Sequence, residues 1–144
     1  MSETTKHTGG CLCGAVRYNV SAPPLLARMC YCRVCQYFAC GNGAVNAAFR
    51  TADVSFTGTM KDFVSIADSG TEMHRRFCPE CGVHLTTAAA TRPETVFIRV
   101  GTLDEPGIVT PTAAIWMDSA PRWVCLDPSV EQIARQPPPL KTAT

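Results

Sequence analysis

RFCPECGVHL, residues 76–85, sets Cys78 and Cys81 in a Cys-Pro-Glu-Cys-Gly turn and runs on into an alternating segment that begins at His84. Two residues between the thiols let both sulfurs face one point, and the glycine lets the following amides approach them. Upstream, GGCLCGAVRY at residues 9–18 is a shorter version, with Cys11 and Cys13 before Gly14 and another alternating segment after it. Together the two halves supply the four sulfurs that a tetrahedral structural zinc takes, each half at the mouth of a strand. The expectation is a β domain whose sheet ends are clasped by zinc.

A third cluster, CYCRVC, supplies Cys30, Cys32 and Cys35 and has no obvious fourth ligand beside it. Catalytic zinc sites commonly stop at three protein ligands and leave a position open, so this deficit is the functional signal. Two other readings stay open: all three clusters are structural, or the nine cysteines form disulfides. The odd count, the close spacing and the lack of a charged-then-apolar leader speak against the second. Cys40 and Cys125 stand alone, as small buried thiols often do.

With 144 residues, 46% hydrophobic, the chain has the size of one domain with one main core. A net charge of +1 offers no basic field for nucleic acid, and no apolar run approaches the ~20 residues of a membrane span. Reduced, metal-binding thiols place the protein in the cytoplasm. Alternating runs punctuated by Gly, Pro, Asp and Asn predict strands over 15–20, 45–49, 54–57, 63–66, 73–77, 84–88, 96–100 and 113–117. Helix is limited to a turn or two at 32–38 and a short piece at 130–134. The fold class is therefore mainly β, antiparallel, with little helix. One domain over 9–135 is expected, with a flexible start at 1–8 and a Pro-rich tail at 136–144.

The order GGCLCGAVRY, CYCRVC, RRFCPECGVHL, VGTLDEPG, IWMDSAPRW over residues 9–127 closely resembles the glutathione-dependent formaldehyde-activating enzyme family, also called centromere-protein-V-like. The resemblance implies a β-tent fold of antiparallel sheets. It implies a structural zinc on Cys11, Cys13, Cys78 and Cys81 and a second, labile zinc at a reactive site on Cys30, Cys32 and Cys35. The activity it implies is that of an S-(hydroxymethyl)glutathione synthase, a carbon–sulfur lyase by class that joins formaldehyde to the glutathione thiol. Many relatives carry glycine where this chain has Cys40, and histidine where it has Ala114. A fourth thiol from Cys40 would close the second site into a structural cage.

A zinc with an open position deprotonates a thiol or polarises a carbonyl, and a neighbouring side chain then carries the proton. Candidates for that carrier are His84, Tyr31, Tyr37 and His74, with His84 first because it lies three residues past a zinc thiol. Arg75 or Arg76 suits a carboxylate of glutathione, and Arg75 is preferred because relatives commonly have arginine three residues before this cysteine. Trp116 and Trp123 read as core or dimer-interface residues, and a homodimer is possible. The alternatives to the lyase are a non-catalytic zinc- or glutathione-binding module, a structural interaction domain, and a zinc enzyme acting on a different small electrophile without glutathione.

Overall fold

The computed structural model describes residues 7–138. Eleven strands form two sheets. The smaller has three strands in the order β1 (His7–Gly10), β2 (Arg17–Val20), β5 (Val54–Thr57), all antiparallel. The larger runs β11 (Glu131–Gln132), β10 (Ala113–Ile115), β3 (Leu26–Cys30), β4 (Ala44–Arg50), β9 (Thr95–Arg99), β8 (His84–Ala89), β7 (Glu72–Phe77), β6 (Lys61–Ile66). Among the described residues a single α-helix, α1 (Arg33–Phe38), follows β3.

Alternation divides the large sheet into two faces of different chemistry, because successive side chains of a strand point opposite ways. Ala47 and Phe49 of β4 and Val96 and Ile98 of β9 are buried on one face with Tyr18 and Val20 of the small sheet, and this is the main core. The register sets Arg28, Asn46 and Arg99 side by side on the other face, and Arg75, Thr87 and Phe97 likewise. Between Arg76 and Phe77 the β7–β8 register shifts: Thr86 opposes Arg76 and His84 opposes Phe77, leaving Leu85 as an extra residue. The bulge sends fully buried Leu85 into the core while its neighbour His84 stacks on Phe38 and Phe77.

Several expectations are corrected. The structure has strands at β1 and β3 that the alternation pattern does not signal, and His7 and Thr8, read as part of the flexible start, pair with Val20 and Asn19. Residues 1–6 of that start lie outside the described residues, as do 139–144 of the tail. The 130–134 segment holds β11 rather than helix, because Ile133 N–H donates to the Ala114 carbonyl at 2.8 Å and Glu131 N–H to that of Thr112 at 3.0 Å. The mainly β, largely antiparallel fold is as expected, with β10 as the exception, running parallel to both β3 and β11. β10 stops at Ile115, short of the predicted 117, because Trp116 takes a left-handed conformation with φ 60°. Gln136, expected in the tail, accepts the Trp116 Nε1–H at 3.0 Å.

Candidate metal centres and active site

Cys11, Cys13, Cys78 and Cys81 come together with all four sulfurs within 4.8 Å of one another. Cys11 Sγ lies 3.6 Å from Cys13 Sγ, and Cys13 Sγ lies 3.7 Å from Cys78 Sγ. A tetrahedron with metal–sulfur bonds of about 2.3 Å has sulfur–sulfur edges of about 3.8 Å, so the cage fits zinc. The two turns that build it repeat one device. Cys11 N–H donates to the Val16 carbonyl and Cys78 N–H to the Val83 carbonyl, both at 3.0 Å. Gly14 and Gly82 then donate back to the carbonyls of Cys11 and Cys78 from left-handed conformations, φ 82° and 76°. Amides also aim at sulfur: Val16 N–H at Cys11 Sγ, 3.2 Å, and Glu80 N–H at Cys78 Sγ, 3.4 Å. The amides of Cys13 and Val83 draw the Cys81 thiol down to about 6, which favours the thiolate a metal needs.

The second cluster sits at the end of β3 and the start of α1. Cys30, Cys32 and Cys35 also lie with their sulfurs within 4.8 Å of one another, Cys30 and Cys35 buried and Cys32 partly open. Cys32 is the N-cap of α1, its sulfur accepting the Cys35 N–H at 3.3 Å. The neighbouring thiols of Cys30 and Cys35 and this amide hold the Cys32 thiol low, while the thiols of Cys32 and Cys35, with burial, push Cys30 up. Cys32 therefore ionises first. Cys40 does not join them: it is exposed in a left-handed turn, φ 58°, beyond the end of α1. Cys125 is exposed as well, and all nine cysteines are free of disulfides. A set of three thiols with one of them open to solvent fits a metal with a vacant coordination position.

Around this cluster the polar face of the sheet supplies an unusual set of neighbours. Arg75 on β7 and Arg99 on β9 are buried, and their guanidinium carbons lie 5.5 and 5.9 Å from the centroid of the Phe38 ring, one helical turn beyond Cys35. The His84 ring packs 4.0 Å from that of Phe38 and 5.6 Å from that of Phe77. Burial, then the positive charges of Arg99 and Arg75, lower His84 to about 4, so at neutral pH it is an uncharged imidazole. Because its folded pKa lies below the unfolded value of 6.5, the unfolded chain takes up a proton first. His84 thus contributes stability that is complete above about pH 6.5 and is lost as the pH falls toward 4. In thermal denaturation between about pH 7 and pH 5, His84→Gln is expected to lose less stability than the wild type; parallel curves would mean that His84 titrates as a free histidine.

Other sequence candidates fall elsewhere. His74 alternates with Arg75 onto the opposite face, where its Nδ1 meets Asp62 at 2.6 Å and its Nε2 meets Glu72 at 2.9 Å. Arg76 is on that side too, 3.8 Å from Asp62. Tyr31 is buried against Gly43, and Tyr37 is 77% exposed beside Arg33. Trp123 is exposed, whereas Trp116 packs against the thiol cluster with Ile115 and Ile133. Ala114 is fully buried in β10. Arg99, Phe38 and Trp116 were not singled out by sequence as site residues; a lone arginine inside the apolar run TVFIRV was the available signal for the first.

The model of the glutathione-dependent formaldehyde-activating enzymes matches residues 6–119, which takes in both cysteine clusters and both buried arginines. The chain belongs to that family. Formaldehyde-activating, glutathione-related function is the family's description, and the two thiol clusters of this member are competent to bind metal ions. A crystal structure of a Rhodobacter sphaeroides protein from a structural genomics programme is similar, 26% identical with a TM-score of 0.53, over 67% of this chain and 87% of that one. Among the described residues no helix is long and apolar enough to cross a membrane.

Proposed function

We propose that this formaldehyde-activating family member is a zinc-dependent enzyme of the carbon–sulfur lyase class that joins a small thiol, glutathione foremost, to formaldehyde or a similar small aldehyde. The observation that carries the reading is that Cys30, Cys32 and Cys35 remain a set of three, with Cys40 turned away from them. In this reading Cys11, Cys13, Cys78 and Cys81 hold a structural zinc and the three-thiol cluster holds the labile one. When bound at three thiolates, zinc lowers the pKa of a thiol or polarises a carbonyl oxygen. The chain's own residues do the rest. His84, uncharged and with a buried Nδ1 that lacks a hydrogen-bond partner, accepts the thiol proton and returns it to the oxygen of the former carbonyl. One carbon–sulfur bond forms, the carbon–oxygen π bond opens, and the proton passes from sulfur to oxygen. Phe38, Phe77 and Trp116 limit water around the adduct, and Arg75 holds a carboxylate of the thiol substrate. Nine free thiols suit a reducing compartment such as the cytoplasm.

Addition of a thiol to an aldehyde is reversible, so turnover is read as exchange. Two-dimensional NMR exchange between hydrated formaldehyde and S-(hydroxymethyl)glutathione is expected to quicken by at least about a hundredfold with saturating zinc-loaded protein, a gain at the low end of proton-transfer catalysis. Saturable binding of glutathione with no change in exchange would instead mark a binding module, and faster aldehyde hydration without glutathione would mark a different electrophile.

A further inference from the structure

The face beside the three thiols carries more positive charge than it has partners for. Arg75 is 5% exposed and Arg99 8% exposed, and among the described residues neither has a carboxylate within 4.0 Å. Each guanidinium is steered by one neutral oxygen: Arg75 Nη1–H donates to Ser65 Oγ at 2.6 Å and Arg99 Nη1–H to Asn46 Oδ1 at 2.7 Å. Arg75 Nε, Arg99 Nε, Arg99 Nη2 and His84 Nδ1 are buried with no oxygen or nitrogen partner, and the Cys35 thiol is the neighbour that interacts with the Arg99 guanidinium. Buried donors on a charged group are costly to leave unmet, and native proteins rarely leave several together.

The pattern of free donors is specific. Nη1 of Arg99 is engaged, while Nε and Nη2 share an edge of the guanidinium whose two N–H bonds run parallel. That edge matches the two oxygens of a carboxylate. Arg75 aims a further free Nε–H from across the same Phe38 ring. Partly open Phe38 and His84, with half-exposed Phe63 6.5 Å from Phe38, give the face a way to solvent on the β6 side.

We infer that Arg75 and Arg99 form a carboxylate-binding site immediately beside the Cys30–Cys32–Cys35 cluster, with Arg99 supplying the bidentate edge. The arginines alone carry the anion site. Its role as a substrate handle rests on the proposed thiol–aldehyde reaction, and its position narrows the substrate: both guanidiniums lie over Phe38, one helical turn beyond Cys35, so the carboxylate sits close to the reacting atoms. The substrate class is then a thiol or aldehyde with its acid group a few bonds from the reacting sulfur or carbon. Thiolates next door disfavour a second negative charge, which selects a carboxylate over a phosphate dianion.

Titration of the zinc-loaded protein with acetate and with neutral acetamide, followed by the Nε–H resonances of Arg75 and Arg99, tests the anion site without any turnover. Acetate is expected to shift both resonances saturably and acetamide neither, and the response is expected to disappear in Arg99→Gln. Arg99→Lys, which keeps the charge in case the glutamine variant fails to fold, is expected to weaken acetate at least tenfold through loss of the parallel edge. Equal responses to acetate and acetamide would overturn the site, and inorganic phosphate displacing acetate at lower concentration would overturn its assignment to a carboxylate. The handle is read separately: mercaptoacetate is expected to bind at least tenfold more tightly than mercaptoacetamide. Equal affinity of that pair, with acetate behaving as expected, would remove the handle and leave the anion site. Loss of zinc dependence for both thiols would remove the proposed reaction instead.

Discussion

Cys78→Ser is expected to deprive the chain of a stable fold, with zinc content lower by one atom per chain and no cooperative thermal transition by circular dichroism. Cys78 is fully buried and packs in the main core with Cys11, Val16 and Leu85. Its turn links β7 to β8 of the large sheet, and the turn of Cys11 and Cys13 links β1 to β2 of the small one, so the four-sulfur cage fastens sheet to sheet. Structural zinc at four cysteine or histidine ligands contributes about 10–16 kcal/mol at neutral pH. A domain of this size is stable by only about 5–15 kcal/mol in total, so the metal term is as large as the whole. Serine is close in size to cysteine, so packing alone predicts a far smaller loss, and that difference makes the test sharp. An unchanged melting temperature would mean that the sheets hold together without the clasp.

What could be read in advance divides along the range of the interactions. Both half-sites were legible because each is a local device, a pair of thiols with a glycine that must turn left-handed. The strands that follow them were legible for the same reason, as was the short helix at Arg33–Phe38. β1, with its sequence HTGG, was not, since glycine carries no strand signal; the strand exists because β2 pairs with it and because the chain must pass closely over Tyr18. A Cβ on Gly9 would lie 2.3 Å from the Tyr18 hydroxyl oxygen and 2.4 Å from the Thr102 carbonyl oxygen, so this close approach accounts for the glycine. At 130–134, helix-favouring Glu, Gln and Ala were overruled by parallel pairing to β10, a contact made by residues nearly twenty positions apart in the chain.

The reactive face shows the same division. Arg75 and Arg76 are adjacent in sequence and equivalent in composition, yet the pleat buries one and exposes the other. Arg99 could be matched to Arg75 only through the β7–β8–β9 register, and Phe38 only through the packing of α1 on that face. His84 was legible as a residue near a paired-thiol turn, but not its direction, which depends on the bulge at Leu85. Cys40 was ambiguous in sequence because five positions from Cys35 is within reach of the same metal. The left-handed turn that ends α1 resolves it by sending the thiol outward.

Cys35→Ser is expected to have the opposite profile from Cys78→Ser: a retained fold, one zinc fewer per chain, and adduct exchange slower by more than about a hundredfold. Removing a side chain that merely orients a ligand costs about 10–100-fold in metal affinity or activity, and loss of a direct ligand exceeds that. The fold depends little on this cluster. Cys30 and Cys35 pack with Ala44 and Ile115 in a small satellite apart from the main core, and α1 is only six residues long. The melting temperature should therefore move by a few degrees, in line with about 1 kcal/mol for a conservative change outside the main core. Measured together, zinc content, melting temperature and exchange rate separate the two clusters by kind. Collapse of the fold in Cys35→Ser would make the three-thiol cluster a second clasp and would end the catalytic reading of it. Retention of full exchange activity after loss of the zinc would leave His84 and the arginines as the reactive elements and would end the role proposed for the metal.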